Sequence, residues 1–364
     1  MRILILNWRD PKNPRAGGAE TFTFEVARRL VEAGDEVEWF SAAFPGAAAE
    51  EEVEGIRLVR QGRQWTVHWK AFGHYRNSHS KRFDILIDEV NTMPFFTPLW
   101  SDIPKRMLVF QLAREVWWYE SPFPLNALGY AAEPQYLKVY RKTPVLTISK
   151  STENDLRHLG FSGPITVLPI GIEPSREDAE RKLSVPTFLF VGRLVPSKQV
   201  PDILRAFSLF HQEIGDGQLW LIGDGNESYV RQLKRQAVDL GVADKVEFCG
   251  RVSADEKAQR MSAAHMLLMS SVREGWGLAT SEAAAFGTPS VVYDAPGLRD
   301  AVKDWETGRV VPPLPAELAK AMVQLWNDQP LYRRIAAAAK ESVRRLSFDA
   351  TASLFREALA RANA

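Results

Sequence analysis

Short runs of branched apolar residues alternate with helical stretches along this chain, and the alternation starts twice. Ile3–Leu6 reads as the first strand. A polar loop from Trp8 to Gly18 leads into Ala19–Ala33, where Phe22, Val26 and Leu30 recur near the helical period. Glu36–Phe40, Ile56–Val59, Ile85–Ile87, Met107–Phe110, Val145–Ile148 and Ile165–Leu168 read as further strands. Such strands, separated by helices, predict a parallel sheet covered on both faces. The pattern breaks at Pro169–Pro174 and runs through the charged stretch Ser175–Lys182, read as an interdomain linker. It restarts at Thr187–Val191 and continues through Leu219–Ile222, Val246–Phe248, Met266–Met269 and Ser290–Tyr293. The expectation is an α/β chain of two doubly wound halves with a helical, alanine-rich tail; turn signals stand at Pro330 and Ser347. A length of 364 residues suits that division.

Composition narrows the function. With 45% apolar and 25% charged residues the chain is ordinarily globular, and a net charge of +1 argues against a general polyanion binder. Cys249 is the single cysteine, which excludes an internal disulfide and a cysteine-cluster metal site and favours the cytoplasm. No apolar run is long enough to span a membrane, and the run at the N-terminus is too short for a secretion signal.

In open α/β sheets, ligands sit outside the carboxyl ends of strands, so chemistry is sought in the loops that follow them. After Met266–Met269 comes Glu274-Gly275-Trp276-Gly277-Leu278-Ala279-Thr280-Ser281-Glu282, leading into an alanine-rich helix that ends near Phe286-Gly287. Glycines let backbone approach a ligand closely. The amides of Gly277, Leu278 and Ala279 at a helix start can hold an anion, and a flanking carboxylate can accept from a vicinal diol. An anion beside hydroxyls is what a nucleotide sugar presents; a capped helix with solvated glutamates is the alternative. After Thr187–Val191, Gly192-Arg193-Leu194-Val195-Pro196-Ser197-Lys198 places Arg193 and Lys198 where both can meet a diphosphate, or leaves them as an exposed basic loop. Gly17 and Gly18, after the first strand, can present amides to phosphate. Neither a dinucleotide fingerprint nor a P-loop is present. Leu221-Ile222-Gly223-Asp224-Gly225 reads by itself as a tight turn.

Taken in order, G-R-x-x-x-x-K, L-I-G-D-G, E-x(7)-E and Gly287-Thr288-Pro289 resemble the donor domain of the family 4 retaining glycosyltransferases, and the Gly17-Gly18 loop is similar to theirs. The resemblance spans about residues 1–360 and is most specific over 187–312. It implies a GT-B fold: two Rossmann-like domains facing across a cleft, with the C-terminal helix returning to the first. Residues 1–170, with about 346–364, would bind the acceptor; residues 171–345 would bind the nucleotide-sugar donor. Arg193 and Lys198 would hold the diphosphate, Glu274 the hydroxyls of the transferred sugar, and Glu282 the ribose. Gly277, Leu278 and Gly18 would support the phosphates, and Val252 would lie beside the base with Lys257 close by. Catalysis is expected to rest on Glu274, Arg193 and Lys198. No cofactor is expected, and without a D-x-D no metal. Relatives place a histidine after the strand matching Met107–Phe110; this chain has Gln111, which can hydrogen-bond a sugar but cannot relay a proton. In retaining members the leaving phosphate is thought to accept the acceptor's proton, which tolerates that change.

The reaction implied is transfer of a hexose to a glycan, a lipid-linked sugar or a small hydroxylated acceptor. A nucleotide-sugar epimerase and a non-catalytic nucleotide-sugar sensor remain as alternatives on the same fold. Acceptor candidates besides Gln111 are Glu115, Trp117 and Trp118, which can bind or stack on a sugar or else pack in a core. Asp88-Glu89 reads as a cap for the next segment or as an acceptor contact, and His158, His211 and His265 read as structural. Residues 57–82 carry seven Arg or Lys, no Asp or Glu, and interleaved Trp65, Trp69, Phe72 and Tyr75. The simpler reading is a basic helix with its aromatics turned inward; the other is a peripheral contact with anionic lipid at the inner face of the membrane, or with a phosphorylated acceptor. No nucleic-acid module is found, so no nucleic-acid partner is expected.

Overall fold

The computed structural model describes residues 1–78, 82–172 and 182–361. Lys81 and most of the expected linker fall outside the described residues. The first half runs β1 (Arg2–Leu6), α1 (Gly18–Glu32), β2 (Glu36–Ser41), β3 (Glu50–Val53), β4 (Ile56–Arg60), α2 (Val67–Asn77), β5 (Ile85–Val90), β6 (Lys105–Val109), α3 (Val116–Glu120), α4 (Leu125–Tyr136), β7 (Val145–Thr147), α5 (Lys150–His158) and β8 (Ile165–Val167). The second runs β9 (Thr187–Val191), α6 (Val200–Ile214), β10 (Gln218–Ile222), α7 (Glu227–Asp239), β11 (Val246–Gly250), α8 (Ala254–Ala263), β12 (Met266–Met269), α9 (Leu278–Ala285), β13 (Ser290–Tyr293), α10 (Leu298–Ala301) and β14 (Gly308–Val311). The tail is α11 (Pro315–Asn327), α12 (Gln329–Val343) and α13 (Phe348–Ala360).

The chain divides into two compact units. One comprises Met1–Arg114, Leu128–Gly171 and Leu346–Ala364; the other comprises Glu115–Ala127 and Ile172–Arg345. The segment Glu115–Ala127 thus goes with the second unit, whereas the sequence boundary at 170 assigns it to the first.

The first unit holds the eight-stranded sheet β3-β4-β2-β1-β5-β6-β7-β8, parallel except for β3. The sequence reading missed β3, because Glu-Glu-Glu-Val has little strand propensity. Its pairing with β4 is set by a turn at Glu54 and Gly55, both at positive φ (50° and 76°), the backbone twist that suits a tight hairpin. Helix α13 packs on α1 through Phe22 and Phe348, 6.2 Å apart, and Arg106 donates to the Ala358 carbonyl at 2.7 Å. A side chain at Gly171 would come within 2.3 Å of the Phe348 ring, so only glycine lets the chain pass there.

On α2 the aromatics divide. Tyr75 is buried and Phe72 meets Trp100 edge-on at 5.8 Å, but Trp65 and Trp69 are 76% and 79% exposed. The inward reading therefore holds only for the second pair: the buried stripe of α2 is Val67, Ala71 and Tyr75, four residues apart, so Trp69 falls on the opposite side, and Trp65 precedes the helix. The basic residues divide too. Arg60 is buried on Asp10 at 2.6 Å, Arg57 pairs with Glu38 and Glu50 at 2.8 Å, and Arg82 lies 3.3 Å from Glu38. Arg63, Lys70 and Arg76 stay exposed, with no ion pair among the described residues.

Strand order in the first sheet reverses between β1 and β5. There Glu20 accepts from Arg9 Nε at 2.8 Å, Asn91 Nδ2 at 3.0 Å and the Gly17 amide at 2.7 Å. Glu89, buried beside it, accepts from Asn7 Nδ2 at 2.7 Å. Burial first, and then the Glu20 charge, pushes the Glu89 carboxyl well above its ordinary range. Its neighbour Asp88 does cap the next segment, accepting from the amides of Phe95 and Thr97 at 3.0 and 3.3 Å.

The second unit holds the six-stranded, all-parallel sheet β11-β10-β9-β12-β13-β14, the strand order of a nucleotide-binding doubly wound fold. Its edge strand β14 went unread because it is short and begins with glycine. The reading of Leu221–Gly225 as a turn is correct, and its cause is visible. A Cβ at Gly223 would lie 1.9 Å from the Gly192 carbonyl oxygen, and one at Gly225 would lie 2.2 Å from that of Leu194. These glycines let the loop after β9 lie flat on the loop after β10. His265 is structural, as expected: its Nδ1 accepts from the Thr187 amide at 3.1 Å.

Two outcomes are expected. Gly223→Ala should destabilise the second unit by about 3 kcal/mol in urea unfolding, because the clash is with backbone. For Glu89, the folded chain holds a proton that the unfolded chain releases above the usual carboxylate range, so its contribution to stability falls as pH rises. Glu89→Gln, which mimics the neutral acid, should flatten the decline in stability as pH rises above the ordinary carboxylate range. Unfolding midpoints of both proteins across that rise read the effect.

Candidate functional site

In the second sheet the order reverses between β9 and β12, and ligands of such sheets bind at that reversal, beyond the strand ends. The loops leaving these two strands carry the residues singled out from the sequence. After β9, Gly192 and Arg193 lead to a single turn of 3₁₀ helix, Pro196–Lys198. After β12, Ser270 to Trp276 lead to Gly277, which caps α9 at φ 88°.

Side chains knit the two loops together. Lys198 Nζ is bound to Glu274 Oε1, which also accepts from Ser271 Oγ at 2.6 Å. Ser270 Oγ donates to the carbonyls of Lys198 and Gln199 at 2.9 Å, and the Val272 amide donates to the Ser197 carbonyl at 3.0 Å. The Lys198 and Glu274 side chains are only 16% and 12% exposed. At that depth neither charge can lose its partner without a replacement. Glu274 is further placed by its amide, which donates to the Pro296 carbonyl at 2.9 Å. Gly297 lies so close that a Cβ there would be 2.1 Å from the Glu274 carbonyl oxygen. None of Ser270, Ser271, Pro296 and Gly297 was singled out from the sequence; single serines and a distant Pro-Gly carry no motif.

Helix α9 turns Ala279, Thr280, Ser281, Ala283 and Ala284 into the core. The amides of Leu278 and Ala279 precede any intrahelical partner and stand at the positive end of the helix dipole. Glu282, one turn further, is held by Lys257 of α8, whose Nζ lies 2.9 Å from each carboxylate oxygen. Val252 follows β11, partly packed on the core of this unit. Its loop adjoins the Gly223 turn, since the Gly223 amide donates to the Gly250 carbonyl at 2.8 Å. Arg193 is exposed and has no ion pair among the described residues. Thus Arg193, Lys198, Glu274, Gly277, Leu278 and Glu282 share one sheet edge.

Glu115, Trp117 and Trp118 also go with this unit. Glu115 pairs with Arg273 at 2.8 Å and Glu120 accepts from Ser197 Oγ at 2.5 Å, so α3 lies on the two loops. Trp118 is 49% exposed, while the Trp117 indole nitrogen is buried with no hydrogen-bond partner.

The remaining candidates belong to the first unit. Gly17 and Gly18 open α1, but the Gly17 amide is taken by Glu20, which leaves the Gly18 and Ala19 amides as the open ones. Gln111 follows β6; Thr152 of α5 fixes the preceding residue by donating to the Phe110 carbonyl at 2.9 Å. The Gln111 side-chain oxygen is buried without a partner, a state that a ligand hydroxyl would relieve. No group of three His, Cys, Asp or Glu among the described residues is placed to hold a metal ion. No helix among them is long and apolar enough to cross a membrane.

Comparison with known proteins agrees with this geometry. The model of the Glycosyl transferases group 1 matches residues 172–342, and that of Glycosyltransferase Family 4 matches 16–176. A phosphatidyl-myo-inositol mannosyltransferase of Mycobacterium leprae is 35% identical over 170 residues, 46% of this chain and 44% of that one. A D-inositol 3-phosphate glycosyltransferase of Streptomyces bingchenggensis is 34% identical over 185 residues, 47% of this chain and 40% of that one. The chain thus spans less than half the length of these curated relatives in alignment. In fold it resembles sucrose-phosphate synthase from Thermosynechococcus elongatus, with TM-score 0.82, 21% identity and 99% of each chain covered. It also resembles Anabaena HepE solved with UDP and glucose, with TM-score 0.76, 17% identity, and 99% of this chain and 100% of that one covered. The expected class, two Rossmann-like α/β units of GT-B type, is the one found. Between them the two family models cover nearly the whole sequence, and the chain belongs to the group 1 glycosyl transferases of the family 4 type.

Proposed function

We propose that this protein is a retaining, metal-independent glycosyltransferase that moves a hexose from a nucleotide sugar to a glycan, lipid-linked sugar or small hydroxylated acceptor. The observation that carries the reading is the Lys198–Glu274 pair at the sheet reversal, next to the first amides of α9. A ligand that takes Lys198 must offer Glu274 hydrogen-bond donors in exchange, or leave a buried carboxylate unpaired. A diphosphate joined to a sugar offers both at adjacent atoms. The Lys257–Glu282 pair suits a second hydroxyl-bearing group, the ribose, beside a base at Val252.

As the glycosidic bond to the diphosphate breaks, positive charge grows on the anomeric carbon and negative charge on the leaving phosphate. Lys198, Arg193 and the amides of Gly277 and Leu278 meet that negative charge with donors already oriented, commonly the largest catalytic term. Glu274 orients the sugar by its hydroxyls. The departing phosphate accepts the proton of the incoming hydroxyl on the same face, which dispenses with a histidine at Gln111. Gln111, Glu115, Trp117 and Trp118 are assigned to the acceptor and the Gly18 amide to phosphate contact, while Gly17, its own amide held by Glu20, shapes the turn. No cofactor, metal or nucleic acid enters the reaction.

The protein works in the cytoplasm, docked at the inner face of the membrane. Trp65 and Trp69, projecting beside Arg63, Lys70 and Arg76, support this: indoles settle at the headgroup level and each nearby cation adds about 1 kcal/mol at an anionic surface.

In a thermal-shift screen of UDP, GDP, ADP and their sugars, one nucleotide series should raise the midpoint, because binding to the folded state stabilises it by mass action. For that series, Lys198→Ala should weaken nucleoside diphosphate binding by about 1.5–3 kcal/mol in calorimetry. No shift with any series would refute the donor assignment. Wild-type protein should also cosediment with phosphatidylglycerol vesicles at low salt and not with phosphatidylcholine vesicles, and the Trp65→Ala/Trp69→Ala protein should lose most of that binding.

A further inference from the structure

The segment Glu115–Ala127 is embedded in the second unit by two contacts aimed at the candidate donor site. Arg273, whose side chain is only 6% exposed, has Glu115 as its counter-charge. Ser197, in the turn that carries Lys198, has its hydroxyl on Glu120. Glu120 also acts electrostatically on Tyr229 near the start of α7, whose hydroxyl is pushed up to about 12 by burial first, with the Glu120 and Asp202 charges adding to the effect. Two carboxylates therefore sit on hydrogen-bond donors of the loops after β9 and β12. These are the loops whose other donors are Lys198, held by Glu274, and the open amides at the start of α9. A diphosphate in the same place meets like charge from both.

We infer that Glu115–Ala127 is a strap that fills part of the anion site in the free protein: Glu120 on Ser197 and Glu115 on Arg273 stand in for phosphate oxygens and give way when a nucleoside diphosphate binds. The inference rests on the donor reading above and adds to it two ligands, Ser197 and Arg273, and a segment that must shift. The strap is suited to shift. The helix that carries Glu120, Val116–Glu120, is barely more than one turn long, and Ser121-Pro122-Phe123-Pro124, with Phe123 exposed, separates it from the start of α4. A short helix of this kind is held by its tertiary contacts and not by its own hydrogen bonds. No bond is made or broken in the exchange; one set of acceptors replaces another.

The test is calorimetry of UDP, GDP and ADP, and of the matching nucleosides, with the full chain carrying Glu120→Gln or Glu115→Gln. The amide keeps the size of the carboxylate and removes its charge. The nucleoside diphosphate that binds should bind 3- to 10-fold more tightly to Glu120→Gln, with the nucleoside unchanged. Hydrogen exchange of wild-type amides 115–121 should quicken when that nucleotide is added. Unchanged or weaker diphosphate binding by both variants, or exchange that stays the same or slows, overturns the strap while leaving the donor site standing. If neither wild-type nor variant protein binds any of the three, the donor reading falls and the strap falls with it.

Discussion

The ion pair between Lys198 and Glu274 holds together the part of the molecule on which everything else in the second unit converges. It spans the two loops that leave β9 and β12, where the strand order reverses and the sheet opens beyond its carboxyl edge. Each partner is nearly out of water, so each depends on the other, and Ser270 and Ser271 hold both in register. The surrounding backbone is shaped to allow the approach. Gly297 yields to the Glu274 carbonyl, while Gly223 and Gly225 yield to the chain around Gly192 and Leu194. An added methyl at any of these glycines would displace the backbone of one of the two loops that the charge pair joins.

The same device recurs around this edge. Lys257 occupies both oxygens of Glu282, Glu115 occupies Arg273, and Glu120 occupies Ser197. Among these charged side chains Arg193 stands apart, exposed and with no ion pair among the described residues. Such a site is stable without ligand and still polar, because each internal bond can be exchanged for one of the same kind. It favours a ligand that brings anion and hydroxyls together, since one lacking either half leaves a buried group without a partner. On the proposed reading, selectivity for a nucleotide sugar would follow from exchange among paired groups and would need no open pocket of fixed shape.

The fold was legible where a segment's local pattern and its final environment agree. Thr187–Val191, Met266–Met269 and Ser290–Tyr293 are apolar, branched and buried on both faces, and they form strands over those same residues. Glu50–Val53 was invisible because its pairing comes from the Glu54-Gly55 turn and from β4, not from its own side chains. The site was legible as an ordered set of motifs, which brought Arg193, Lys198, Glu274, Gly277 and Glu282 to one edge. What it lacked were the residues that hold these in place. Ser271, Arg273 and Gly297 act through geometry fixed only after the sheet forms. The placement of Glu115–Ala127 with the second unit depends on contacts some 80 to 160 positions away along the chain, which no local pattern reports. On α2 the aromatic residues gave the composition of a surface but not its direction, because the stripe that meets the core is the one through Val67, Ala71 and Tyr75, and Trp69 lies across the helix from it.

The central claim is that a diphosphate replaces Glu274 as the partner of Lys198. The most direct measurement is a crystal structure of the protein with the nucleotide sugar it binds. The account predicts diphosphate oxygens within hydrogen-bonding distance of Lys198 Nζ and of the first amides of α9, with sugar hydroxyls on Glu274. A ligand seated away from the loops after β9 and β12, with Lys198 still on Glu274, would contradict it.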